Sequence, residues 1–511
     1  MKRMIVIMFM IGAFTILTSA ITSGVPNRNI FQNGDKYVNV RDYGAKGNAE
    51  TDDSPAINKA MTEAAKSGKT VFFPVGAYVM RSGVVVPAGV SVEGISGATT
   101  GPWQNIIEAQ NDKRLFDDTR SPRLSGQGLH WVDEQTCKGS WIIVNHGLGD
   151  INSAPTFRLE GNNTLTRLGF VHAGNLPVSA EVGVYPPAIG VDINQMKSAN
   201  GININDISLP NPHIGIAVYD GKLDSYDLDK AASGKLTGKI EISSISGAPI
   251  YKGIVLKGVS SPVVINNLQF NYAMYESSYV EPRWFEATDI EIACADDVKI
   301  SNVLSFGAQN GLKVVPAFKK RVSNVFMETI NIESQIAMTI EASGKYDLVN
   351  SYLFSLDFLK RPKHNNYSNI VIAQDSKTTE KAEYNFQNVF FQNGTSSVDK
   401  NEIIIKATVQ GGAKILFENA MIWGWHQNTA SPIIEFNHES GASSTLTFNN
   451  LSLSNQSPGK LISTLGSAYR SGDVTFNYCS LQQSVMNGVD SRIKFNKCSI
   501  SNGSVHTEYN R

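Results

Sequence analysis

The sequence predicts an all-β chain wound into a single right-handed parallel β-helix, a solenoid with an amphipathic capping helix at its start. Three observations lead there. A short phrase (apolar, any, Asn or polar, apolar, any, apolar) recurs down the chain at irregular gaps. Within each copy the apolar positions alternate, the period of a strand with one buried face. Ahead of the copies, a segment near residues 54–67 repeats its apolar side chains at helical spacing. One such strand cannot bury its inner face alone, so neighbouring copies must stack like residue on like. A core of this kind grows by repetition, so a chain of 511 residues need not divide into several domains.

In chain order, Lys2 and Arg3 precede an uncharged run from Met4 to Thr18, followed by Thr18-Ser19-Ala20. This pattern is that of a secretory signal, with cleavage expected after Ala20. The run is shorter than the ~20 residues needed to span a bilayer. A secreted or periplasmic location follows as an expectation, with residues 21–37 as a lead-in and 38–511 as the β-helix domain. Pro55 falls in the first turn of the expected helix, Asp53 or Ser54 is placed to cap it, and Gly68 is placed to end it. Its apolar face is Ile57, Ala60, Met61 and Ala64, suited to covering the open end of a solenoid.

The same entry segment contains Asp42-Tyr43-Gly44-Ala45, Thr51-Asp52-Asp53, Ala56-Ile57 and Phe73-Pro74-Val75-Gly76-Ala77-Tyr78. These motifs resemble the opening of the pectate-lyase-like β-helix superfamily, in its rhamnogalacturonase or epimerase-like and polygalacturonase-like branch. The resemblance implies the fold and assigns Asp52 and Asp53 structural roles; it says little of the reaction. The chain departs from the polygalacturonase pattern. It has no Asn-Thr-Asp, Gly-Asp-Asp, Gln-Asp-Asp or Gly-His-Gly, and no Arg-Ile-Lys in the expected order.

The repeat copies include Ile204–Leu209, Ile265–Phe270, Ile300–Val303 and Val322–Val325, then copies starting at Phe386, Phe417, Phe448, Phe476 and Phe495. Their asparagines read as a turn ladder, since Asn tolerates left-handed backbone and its amide can bond the copies above and below. Cys479 and Cys498 hold equivalent positions in consecutive copies, as a disulfide or as two buried thiols. Cys137 and Cys294 are expected outside any disulfide.

A formal net charge of −1 supplies no basic field for nucleic acid. Polysaccharide chemistry asks instead for carboxylates flanking a glycosidic bond, or for a base with Ca²⁺, Arg or Lys beside a uronate. The segment 271–299 mixes acids and aromatics, as a sugar cleft does. From it come the candidate catalytic residues Asp297 and Asp296, with Glu281, Glu286 or Glu276 as the partner carboxylate. Candidate substrate contacts are Arg283, Trp284, Tyr275, Tyr185, His172, His213, Lys313, Trp423 and Trp425. No cofactor is required, except Ca²⁺ if the reaction is an elimination. The expected function is a secreted glycoside hydrolase or polysaccharide lyase. The alternatives are a non-catalytic polysaccharide-binding or adhesive β-helix and, after it, a phage tail-spike-like protein.

Overall fold

A computed structural model describes residues 36–95, 139–175, 183–227, 238–271, 283, 286–318, 323–355, 366–374, 382–393, 401–410, 412–424, 431–438, 444–454, 460–464, 473–486, 488–502 and 505–510. The expected leader, Cys137 and the candidates Tyr275, Glu276, Glu281, Trp284 and Trp425 lie outside them. Residues 38–511 form one compact unit, a right-handed parallel β-helix in which each coil hydrogen-bonds to the next.

Two long strands show how a coil is built. Lys252–Asn271 and Thr288–Phe306 pair in parallel along nearly their whole length. Each turns two corners through left-handed backbone, at Gly258 (φ 69°) and Asn267 (φ 56°) in the first, and at Cys294 (φ 68°) and Asn302 (φ 55°) in the second. The corners divide each coil into three faces. On the first face, Gly190, Ala217, Val255, Glu291, Lys313 and Thr339 form one row across successive coils.

The second corner carries the ladder foreseen from the asparagines. Left-handed residues follow one another at Arg167, Asp206, Ser244, Asn267, Asn302, Thr329, Asn350, Asn388, Asn419, Asn450, Tyr478 and Lys497. Their spacing runs from 19 residues (Tyr478 to Lys497) to 39 (Arg167 to Asp206). Asn388, Asn419 and Asn450 each donate Nδ2 to Oδ1 of the Asn one coil earlier, at 2.9, 3.2 and 2.9 Å. One copy read from the sequence is corrected. Asn324 lies within the strand Ser323–Ser334, and the corner of that coil is Thr329, because Met327 is the residue that pairs with Ile300. Left-handed backbone costs other L-residues about 1–2 kcal/mol. Asn419→Ala should therefore lower stability by about that amount and Asn419→Gly by only a few tenths, read as urea midpoints.

Inside the coils like packs on like. Phe386, Phe417, Phe448, Phe476 and Phe495 stack with centroids 4.6, 4.9, 4.8 and 5.1 Å apart and planes within 15°. Cys479 and Cys498 also stack, as two buried thiols and not as a disulfide; Cys498 Sγ donates to Phe476 O at 3.3 Å. At the other end, α1 (Ser54–Ser67) buries Ala56, Ile57, Ala60, Met61 and Ala64 in the same core. Asp53 sits at its N-cap position without a side-chain cap bond. Its carboxylate instead accepts from Lys46 N at 2.6 Å and Gly47 N at 3.1 Å, tying the entry turn to the helix start.

Candidate active site

On the first face, alternation sends Ile254, Leu256, Ile290 and Ile292 into the core and leaves Lys257 and Glu291 on the outer side, where Lys252, at the start of its strand, joins them despite sharing the parity of Ile254. The chain leaving Ile214–Tyr219 does not run clear of the sheet. Residues 221–227 fold back over it as a strap, burying Leu223 against Ile214, Ala217, Tyr219 and Val255. Under the strap Lys252 Nζ donates to Glu291 Oε1 at 2.8 Å and to the Tyr226 hydroxyl at 3.0 Å. That hydroxyl in turn donates to the same Glu291 oxygen.

Other charges converge on this point. Lys313, on the next coil, is the register neighbour of Glu291 and pairs with Glu341 at 3.1 Å. Burial, and then the charges of Glu291 and Glu286, raise the Tyr251 phenol above its usual range. Burial and Glu291 do the same to Tyr226. Lower on the same face lies a cleft of about 490 Å³, lined among others by Arg158, Asp192, Gln195, Tyr219 and Lys222. The arrangement offers a carboxylate fixed by two donors, nearby acids, aromatic rings and an adjoining polar groove.

Tyr251 is backed from inside. Its ring stacks on His213 at 4.9 Å and 17°. His213 N donates to His172 Nδ1 at 3.3 Å, and the His172 ring meets Tyr185 edge-on at 4.9 Å. Burial, opposed by the bond to Tyr185 O and helped by Lys252, lowers His213 to about 4. A histidine lowered in the folded state stabilises the fold above its unfolded pKa near 6.5. That stability is lost as pH falls from there towards 4, by up to about 3 kcal/mol. Urea midpoints should drop over this range, and His213→Phe, which keeps a ring on Tyr251, should flatten the slope.

The sequence candidates separate into groups. Glu286 is exposed, and its charge reaches Tyr251 together with that of Glu291. Lys313 belongs to the same cluster. Asp297, exposed, and Asp296, half-buried, lie beyond the corner at Cys294, where Asp297 faces Pro262 on the second face. The structure therefore does not set them beside Glu286.

Four expected contacts are corrected because they are interior. Arg283 is 2% exposed, ion-paired with Asp289 at 2.8 Å and bonded to Pro249 O. His172 is fully buried and His213 nearly so. Tyr185 is buried with its hydroxyl accepting from Gly174 N at 2.9 Å, so it too supports the site from behind. Trp423 is half-buried on the third face, opposite Gln392. Sequence reasoning missed Lys252, Tyr226, Tyr251, Lys257 and Glu341, and counted Glu291 only as one of many acids. The available signal was Lys252-Gly-Ile-Val-Leu-Lys257, two lysines framing a strand that is otherwise apolar.

A family model described as rhamnogalacturonase A/epimerase, pectate lyase-like, matches residues 37–133. A probable rhamnogalacturonase B of Aspergillus fumigatus is 34% identical over 328 residues, covering 57% of this chain and 61% of the relative. A probable rhamnogalacturonase A of Aspergillus oryzae is 30% identical over 138 residues, covering 24% of this chain and 29% of the relative. The chain thus spans less than two thirds of either curated relative. Among solved structures, the DFA-IIIase of Arthrobacter chlorophenolicus A6 in complex with GF2 is similar at 11% identity, with 88% of this chain and 96% of that one covered and a TM-score of 0.47.

Proposed function

Starting from membership of the pectate-lyase-like superfamily of right-handed β-helices, we propose that this chain is a glycoside hydrolase that cleaves a polysaccharide on its first face. The observation that carries the reading is Glu291. It is a buried carboxylate on an outer strand position, and Lys252 and Tyr226 both donate to one of its oxygens. Such donors hold the carboxylate in one orientation, as a nucleophile or a general base requires.

Glu286, exposed and charging the same tyrosine, supplies the acid that protonates the leaving oxygen. The ring of Tyr251 serves as a stacking surface for a pyranose face. The cleft beside Arg158, Asp192 and Tyr219 accommodates the continuing sugar chain. The rhamnogalacturonase relatives support hydrolysis of a polysaccharide, and the signal-like pattern of residues 1–20 supports action outside the cytoplasm.

Incubating the protein with acidic and neutral polysaccharides separates the possibilities. Hydrolysis produces reducing ends without ultraviolet absorbance. Elimination produces both, and would replace the acid–base pair by a base with Lys252 and Lys313 neutralising a uronate. Binding without either product would remove the enzyme reading.

A further inference from the structure

Lys257 is a lysine almost wholly withdrawn from water, and the hydrolytic scheme gives it no task. It projects from the outer side of the Lys252–Asn271 strand, in register with Tyr219 and Ala293. The small side chain of Ala293 occupies the coil next to it. The residue is 2% exposed, and its ammonium donates to two carbonyls of the strap, Lys222 O and Ser225 O. It also faces the ring of Tyr226 at 5.3 Å, with Lys252 at 5.6 Å from the same ring.

The strap is anchored elsewhere as well. Asp220 N donates to Lys257 O at 3.0 Å, Leu223 N to Asn152 Oδ1 at 2.9 Å, and the Leu223 side chain is buried. These anchors hold its first half. Between Leu223 and Tyr226 the lysine supplies the hold: its bond to Ser225 O fixes the residue next to the one that reaches Glu291. A burial cost of several kcal/mol per unpaired charge makes such a lysine rare unless its partners are fixed.

Resting on the reading of Glu291 as the catalytic carboxylate, we propose that Lys257 and Tyr226 are positioning residues: Lys257 sets the strap 221–227 so that the Tyr226 hydroxyl is held on Glu291. Neither has to touch the substrate. The groups facing Glu291 are then Lys252 and Lys257 from one strand, Lys313 from the next coil, Tyr226 from the strap, and Tyr251, whose phenol senses its charge. Misplacing one donor by about an ångström commonly costs up to 10²-fold in rate.

The test uses the full chain with Lys257→Met and Tyr226→Phe. Lys257→Met should speed amide hydrogen exchange in residues 221–227 while leaving exchange in the core strands unchanged. Both variants should lower kcat by roughly 10- to 100-fold with KM little altered.

Unchanged exchange in the strap of Lys257→Met overturns the anchoring role, and an unchanged kcat in Tyr226→Phe, or a loss carried by KM instead of kcat, overturns the positioning role. If Lys257→Met does not fold, the kcat and KM of Tyr226→Phe decide. If the wild-type protein cleaves nothing, the enzymatic reading falls, while the exchange measurement still decides whether Lys257 holds the strap.

Discussion

Replacing Glu291 with Gln should lower polysaccharide cleavage by roughly 10²–10⁴-fold, the usual cost of losing a positioned acid–base group. The amide keeps the shape of the carboxylate and its oxygen can still accept from Lys252 and Tyr226, so the coil should keep its circular dichroism, while the thermal midpoint should fall because the buried Lys252 loses its counter-charge. The loss is chemical, because an amide neither attacks an anomeric carbon nor takes a proton from water. Asp297→Asn is the matched control. Asp297 lies past the corner at Cys294, on another face, so its variant should retain nearly full activity. If the Asp297 variant is dead and the Glu291 variant active, the site belongs on the second face.

Arg283→Met should destabilise the fold by about 3–5 kcal/mol, the range for breaking a buried pair by removing one partner. Asp289 is fully buried and accepts from Arg283 Nη2 at 2.8 and 2.9 Å and from Ser305 Oγ at 2.6 Å. Burial already raises its pKa, against the lowering effect of Arg283. Without the guanidinium a carboxylate is left in the core with one hydroxyl.

Adding Asp289→Asn should recover part of the loss, because the second change removes the stranded charge. Urea unfolding of the two single variants and the double variant measures this coupling; additive losses would mean that the pair is not energetically linked. Activity should fall with Arg283→Met as well. The Arg283 carbonyl accepts from Ala287 N at 3.0 Å and Gln309 N at 3.2 Å, bonds that fix the chain carrying Glu286.

The coil was legible because its rules are local. Alternation marks each strand, and the five phenylalanines that open the late copies are the ones that stack. The Asn324 copy failed for an instructive reason: alternation continues through the strand on either side of a corner, so an Asn within a strand passes for the corner itself when the true one is a Thr. The site was less legible because its bonds join neighbouring coils. Lys252 and Glu291 are 39 residues apart, and Tyr226 reaches Glu291 across 65. The doublet Asp296-Asp297 drew attention because it is visible along the chain. Arg283 was read as a surface cation because nothing in Pro282-Arg283 announces a buried partner at Asp289.

The ladder of left-handed corners also bears on how such a chain can change over time. Among the described residues, twelve such corners keep their backbone while the stretch between successive ones ranges from 19 residues to 39. Lengthening or shortening an excursion therefore need not disturb the rows of side chains on the faces. New recognition segments can be acquired, exchanged or discarded like cassettes along one spindle, while the row containing Glu291 and Lys313 is inherited intact.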